Sequence, residues 1–397
     1  GYVVKIKIIF VWKSKISIQN KIFNTNMRKV VVASDSFKGC LTSAQVADAV
    51  EKGIHEVYPK CEVVKLAVAD GGEGTMAALM STVGGERHAV TVHDPVGRQI
   101  EASYALINGN TAVIEMASAS GLTLLEPHER NPLLTSTYGT GELIADALDK
   151  GCRRFLICIG GSATNDAGMG MLQALGYRFI GAEGRALNPC GGSLAKVASI
   201  LAKDAHPALK ESEFIVACDV DSPFCGPEGA AYVYGPQKGA THEMVRELDG
   251  GMRHFAGLVE RVTGTDPTDM RGAGAAGGLG GALMAFMNAR LCRGADMVLD
   301  AVGFDRAIEN ADLIITGEGR IDSQTATGKL PYAVAKRSSG IPVLGICGRA
   351  EVDSLPCFRK IVQVTPPDMP LSKAMNAIVA AENVRKAIMD ILLLESL

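Results

Sequence analysis

Short, continuously apolar runs that end in glycine-rich polar turns mark the two ends of the chain. Residues 30–33 (Val-Val-Val-Ala) form such a run, the pattern of a parallel strand buried on both faces. It empties into Ser34-Asp35-Ser36-Phe37-Lys38-Gly39. Thr42 and Gln45 then have the spacing of a capping box, and Val46, Val50, Ile54 and Val57 follow at helical intervals. Residues 63–68 predict a second strand, which leads through Ala69-Asp70-Gly71-Gly72-Glu73-Gly74-Thr75 into a helix stopped by Gly84-Gly85. Beyond residue 310 the same style returns. Apolar runs at 313–315, 342–346 and 361–364 end in Thr316-Gly317-Glu318-Gly319-Arg320-Ile321-Asp322, in Cys347-Gly348 and in Thr365-Pro366, and a helix spans about 372–393.

The middle of the chain is patterned differently. Residues 89–104 read as strands around the turn Asp94-Pro95-Val96-Gly97, and Asn108-Gly109 is a hairpin signal before 112–115. Both are antiparallel features. A helix is predicted over 142–150. Strands are predicted at 155–159, ending in Gly160-Gly161-Ser162-Ala163-Thr164-Asn165-Asp166, and at 214–218, ending in Asp219 and Asp221 at alternating positions. The glycine-rich turn 271–278 precedes another helix. The expectation is therefore an α/β protein: a flavodoxin-like, doubly wound, parallel five-stranded sheet interrupted by a large inserted α/β domain with a mixed sheet. The expected limits are 27–86 plus 290–397 for the discontinuous domain and 87–289 for the insert. In a sheet of order 2-1-3-4-5, ligands bind at the strands' carboxyl ends, beside the switch between the first and third strands. That makes 35–38 and 316–322 the expected floor of a cleft, with the Asp70 loop as a wall facing the insert.

Composition narrows the function. The chain of 397 residues is 47% hydrophobic and 21% charged, enough apolar content for a large core. Its net charge is −3, and no basic block or basic–aromatic stripe occurs, which argues against nucleic acid as a partner. No run approaches the roughly 18 apolar residues of a membrane span. The ten cysteines show no Cys-x-x-Cys spacing and read as free thiols of a reducing, cytoplasmic setting. Residues 1–26 stand apart, with five lysines, no acid and the only tryptophan; they read as a non-native extension ahead of a natural start at Met27. The alternative is an edge strand, since residues 4–8 alternate.

The candidate chemistry lies in the turns. Asp35 and Lys38 follow the first strand. Gly71, Gly72 and Glu73, with Asp70, precede a helix whose N-terminus favours an anion. Gly160, Gly161, Ser162, Thr164 and Asn165 suit an anion or a polyol. Gly317, Gly319, Arg320, Asp322, Gln324 and Lys329 fall in one polar passage that opens a helix, like a phosphate cradle. Neither a Gly-x-x-x-x-Gly-Lys-Ser/Thr loop nor a dinucleotide fingerprint occurs. The seven histidines have no metal spacing.

Together these stretches resemble the bacterial glycerate kinases that phosphorylate the 2-hydroxyl of D-glycerate. The likeness runs in order over about residues 27–395 and includes Ser136–Leu143, Ala217–Val220, Gly235-Pro236-Gln237-Lys238-Gly239-Ala240 and Gly272–Gly278 besides the turns above. It implies ATP and glycerate as substrates, Mg²⁺ as cofactor and a flavodoxin-like domain carrying an insert. Phosphoryl transfer needs cationic cover, a metal and a proton acceptor. Lys38, Arg320 and Lys329 can supply the cations. Asp35, Asp70, Asp219 and Asp322 form the acid pool, with Asp70 or Asp35 expected as proton acceptor and Asp322 near the metal. The alternatives are phosphorylation at the 3-hydroxyl, another small hydroxy acid as substrate, or a non-catalytic two-lobed binder. One departure from the family pattern is Ala167, where the family usually has glycine.

Overall fold

The computed structural model describes residues 27–396, so the expected extension over 1–26 lies outside the described residues. The strands in chain order are β1 (Lys29–Val32), β2 (Glu62–Lys65), β3 (Glu86–His93), β4 (Gln99–Ile107), β5 (Thr111–Glu115), β6 (Arg154–Cys158) and β7 (Arg178–Gly181). They continue with β8 (Val197–Leu201), β9 (Glu213–Ala217), β10 (Arg290–Cys292), β11 (Leu313–Ile321), β12 (Val343–Ala350) and β13 (Lys360–Gln363). The chain divides into two compact units, 1–66 with 305–397, and 67–304. The stretches 67–86 and 290–304, expected with the first domain, fall in the second unit. There the helix Thr75–Val83 leans on β4 and β5.

In the first unit five parallel strands lie in the order β13-β12-β11-β1-β2. Counted within this sheet that is 2-1-3-4-5, the doubly wound order expected. Val30, Val32, Leu313 and Ile315 pack against the helices Ser43–Val57 and Ala377–Ser396. Val31 and Ile314 are also fully buried, but alternation turns them to the opposite face. Thr42 and Gln45 form the predicted capping box. The passage expected as a loop from 316 is instead strand as far as Ile321, paired with β12 up to Ile321↔Ala350. Gly317 explains this: a Cβ there would stand 2.1 Å from Ile346 O, so its bare backbone serves the strand contact.

In the second unit a six-stranded mixed sheet runs β10-β9-β6-β5-β4-β3, parallel from β10 to β5 and antiparallel through β4 and β3; β7 and β8 form a separate ribbon. Asn108 and Gly109 both have positive φ at the β4–β5 turn, as the hairpin signal requires. The helix predicted at 142–150 is Tyr138–Asp149. The helix thus begins four residues before the expected start and takes in Gly139 and Gly141, where close approach leaves no room for a side chain: a Cβ on Gly139 would lie 1.9 Å from His93 O, and one on Gly141 2.4 Å from Met171 O. β9 ends at Ala217, so Asp219 and Asp221 lie on a loop and do not alternate; Asp221 bonds Arg271 at 2.6 Å. Ala167 stands at φ 52°, a left-handed conformation that costs an L residue about 1–2 kcal/mol. Among the described residues no helix is long and apolar enough to cross a membrane.

Gly53 lies inside the helix Ser43–Val57, where Ala would ordinarily be favoured by about 1 kcal/mol. A Cβ there would meet Arg385 O at 2.5 Å and Ile388 Cβ at 3.0 Å. Gly53→Ala is therefore expected to destabilise the protein, by about 1–3 kcal/mol in urea unfolding, because backbone cannot yield as a side chain would. A stabilised variant would contradict the close helix crossing.

Candidate active site

In the first unit the candidate residues gather where β1 and β11 end. Asp35 N donates to Gly317 O at 2.8 Å, and Asp35 Oδ1 accepts from Ser36 N at 2.7 Å. Asp35 is only 8% exposed, whereas Lys38, on the tight Phe37–Leu41 turn, is open to solvent. The Cβ direction of Gly319 faces the Phe37–Lys38 backbone at 3.7 Å, so these two chain segments run side by side. Lys329 Nζ stands 3.4 Å from Glu318 Oε2 and 3.5 Å from Asp322 Oδ1, gathering two carboxylates on one cation. Asp322 Oδ1 also caps the short 3-10 helix Ser323–Thr327 by accepting from the amides of Gln324 and Thr325. Burial pushes the Glu318 carboxyl up, against the bond from Thr325 Oγ1 and the charge of Lys329. Burial acts in the same direction on Asp322, but there Lys329 and the two amides prevail and hold the carboxyl below its usual value. Arg320 is exposed and bonds Glu351 at 2.6 Å. Gln324 is likewise exposed.

In the second unit Glu115, Cys158, Ala217 and Cys292 lie in register across the carboxyl ends of β5, β6, β9 and β10. The Asp70 loop packs there. One amide at the N-terminus of the helix Thr75–Val83 is engaged from within the protein: Met76 N donates to Glu115 Oε1 at 2.8 Å, with Gly71, Gly72 and Glu73 in the loop just before it. Gly71 is glycine for a packing reason: its φ is 87°, and a Cβ would lie 2.3 Å from Gly294 Cα. Gly72 N donates to Asp70 Oδ1 at 3.0 Å, and Glu73 is exposed. Gly294 N donates to Asp219 Oδ1 at 3.1 Å. Although Asp219 keeps much of its surface open, the buried side of its carboxyl raises its pKa, Gly294 N opposes this, and the charge of Asp70 adds to the rise.

The turn after β6 divides in two. Gly160 and Gly161 are exposed and Ser162 is 8% exposed, but Thr164 and Asn165, expected to bind substrate, are fully buried. They form the base of the loop and present no surface to a ligand. The next residue, Asp166, is also fully buried and accepts four hydrogen bonds: from Thr137 N and Oγ1, both at 2.8 Å, Gly168 N at 3.1 Å and Gly170 N at 3.0 Å. Beneath the loop lies Lys238, 1% exposed, whose Nζ donates to Ser162 Oγ at 2.7 Å and to Thr164 O at 2.6 Å. Burial pulls its amine down to about 7, while Asp166 favours the charged form. Sequence reasoning left Glu115, Lys238 and Glu318 out of the candidate residues. The signals available were a lysine enclosed by Gly-Pro-Gln and Gly, and acids placed directly at strand ends.

The family model described as "Glycerate kinase family" matches residues 30–394. The chain is 46% identical over 370 residues to the glycerate kinase of Bacillus subtilis (strain 168), covering 91% of this chain and 96% of that protein. It is 46% identical over 324 residues to the glycerate 2-kinase of Escherichia coli (strain K12), covering 81% and 85%. A solved structure, "Crystal structure of putative glycerate kinase 2 from Salmonella typhimurium LT2", superposes with a TM-score of 0.86 at 43% identity, covering 93% of this chain and 98% of that one.

Two outcomes follow from this geometry. Gly71→Ala meets both left-handed strain and backbone and is expected to cost more than about 2 kcal/mol. Gly74→Ala, at φ 89° with nothing within 4 Å of its Cβ, meets only the strain and is expected to cost about 1–2 kcal/mol. Equal losses in denaturant unfolding would contradict the crossing at Gly294. The second outcome concerns pH. The folded Lys238 amine gives up its proton near 7, whereas an unfolded lysine keeps it to about 10.5. The unfolded state then binds more protons across that window, so this group makes stability rise with pH there, by up to about 1.4 kcal/mol per pH unit. Lys238→Met is expected to remove that component of the slope; an unchanged slope would contradict a depressed, buried amine.

Proposed function

The chain belongs to the glycerate kinase family, and from that premise we propose that it transfers the terminal phosphoryl group of ATP to the 2-hydroxyl of D-glycerate, giving 2-phosphoglycerate and ADP. The enzyme is a phosphotransferase. The observation that carries the choice of hydroxyl is the 46% identity over 324 residues with a relative named glycerate 2-kinase.

Phosphoryl transfer is mainly positioning and charge stabilisation, with a group to receive the hydroxyl proton. In the first unit Lys38 and Lys329 provide positive charge at the strand ends, and Arg320, paired with Glu351, adds to the local field. Asp35 there and Asp70 in the second unit are the proposed proton acceptors. Asp219, whose pKa burial raises, is a further acid of the same pool. Gly160, Gly161 and Ser162 offer the open part of a polar loop. Mg²⁺, when bound with the nucleotide, neutralises charge across the phosphates. Magnesium needs only one or two protein carboxylates beside phosphate and water, and Asp322 and Glu318 fit as hard oxygen donors already converging on Lys329. We place the reaction in the cytoplasm, since all ten cysteines are free thiols, as a reducing compartment keeps them.

Phosphorus NMR of a mixture with Mg-ATP and D-glycerate is expected to show 2-phosphoglycerate. A 3-phosphoglycerate signal would contradict the hydroxyl assignment, and ATP consumption independent of glycerate would remove the kinase reading. Of the separate variants Asp70→Asn and Asp35→Asn, one is expected to lose about 10²- to 10⁴-fold in kcat with ATP affinity retained. Near wild-type turnover in both would contradict the proton-acceptor assignment.

A further inference from the structure

The Gly160–Ser162 loop has an unusual support. Lys238 Nζ reaches Ser162 Oγ at 2.7 Å and Thr164 O at 2.6 Å from a position that is 1% exposed. A carbonyl only accepts, so the amine donates to Thr164 O. In its protonated form, which the nearby Asp166 carboxylate favours, the amine has no lone pair, so it donates to Ser162 Oγ as well. With a proton directed into its oxygen, the Ser162 hydroxyl must aim its own hydrogen elsewhere. The loop is open beside it: Gly160 and Gly161 are exposed, and nothing lies within 4 Å of the Cβ direction of Gly160. When the amine is protonated, its positive charge directly behind the hydroxyl also strengthens it as a donor in a low-dielectric setting. The support itself is held in place. Ala163 N donates to Ser120 O, Leu122 N donates to Gly161 O, and Gly239, at φ 92° beside Arg130 O, ends the turn that carries Lys238.

We propose that Lys238 is a positioning residue which turns the Ser162 hydroxyl outward as a hydrogen-bond donor to an anionic oxygen of a substrate. The ligand chemistry is a carboxylate or a phosphate oxygen, which glycerate and ATP respectively carry. This deepens the function proposed above and rests on the Gly160–Ser162 loop belonging to its substrate site.

The test compares wild type, Ser162→Ala, Ser162→Thr, Lys238→Met and the double variant Ser162→Ala/Lys238→Met. Calorimetry gives the affinities for D-glycerate and for ATP separately, with KM and kcat in parallel. Ser162→Ala removes one hydroxyl at the edge of the open segment and is expected to leave the melting temperature near wild type while weakening one of the two anions roughly 10- to 100-fold, the effect of a hydrogen bond to a charged group. Weakening confined to glycerate assigns the carboxylate; weakening confined to ATP assigns the phosphate. Ser162→Thr, which keeps the hydroxyl, is expected to retain most of the binding. Lys238→Met is expected to weaken the same ligand, and the double variant to be no weaker than the poorer single one. Unchanged binding of both anions by Ser162→Ala overturns the proposal, as does a Lys238→Met effect that persists in full in the Ser162→Ala background. Wild type binding neither anion also overturns it. Binding is read without turnover, so a wild type that binds D-glycerate and fails to phosphorylate it removes the proposed reaction while leaving this comparison intact.

Discussion

Asp166 has no exposed surface and accepts four hydrogen bonds, and the turn after β6, with the helices beside it, hangs on that carboxylate. A buried carboxylate is tolerated only when its lone pairs are satisfied. Meeting that demand fixes Thr137 at the start of the helix Tyr138–Asp149 and the amides of Gly168 and Gly170 around the helix Met169–Ala174. Thr137 Oγ1 passes the constraint on by accepting from Met171 N at 2.9 Å. The close approach leaves no room for side chains: a Cβ on Gly170 would lie 2.2 Å from Ser136 Oγ, and one on Gly277 2.0 Å from Thr164 O. Ala167 accepts left-handed geometry in the same turn, with its N donating to Gly277 O at 3.0 Å. Lys238 places a countercharge beneath the loop. What remains for a ligand is the short open segment from Gly160 to Ser162, presented by a rigid base.

Much of the fold was legible because its signals are local. Five parallel strands, the interruption between the second and third, the Thr42–Gln45 capping box and the Asn108-Gly109 turn all follow from periodicity and turn chemistry within a few residues. Sequence patterns misjudged the positions where glycine serves a distant neighbour. Gly139 and Gly141 precede the predicted helix and are part of it; Gly317 reads as a loop and lies in β11. In each case the deciding atom belongs to another part of the chain.

The same distinction runs through the site. Asp35, Asp70 and Asp219 were legible as candidates because acids at strand ends are visible in sequence. Glu115 was not, because its role is to cap a helix that begins forty residues earlier in the chain, and nothing near Glu115 announces that partner. Thr164 and Asn165 read as substrate ligands because they are polar and follow two glycines; the structure buries both, and among the described residues only the Thr164 carbonyl and the Asn165 Nδ2 find partners, in Lys238 and in Met252 Sδ. The candidate acids and lysines thus lie near strand carboxyl ends in both units, beside close-packed backbone at Gly71 and Gly317. A phosphotransferase needs such preorganisation more than it needs any single reactive group.

Hydrogen–deuterium exchange of the full chain with and without Mg-ATP and D-glycerate tests this most directly. The account predicts slowed exchange at amides of residues 35–38, 71–74, 160–162 and 318–325, with the opposite strand ends around 108–111 and 290 unchanged. Protection confined to the opposite ends, with those four segments unaltered, would contradict it.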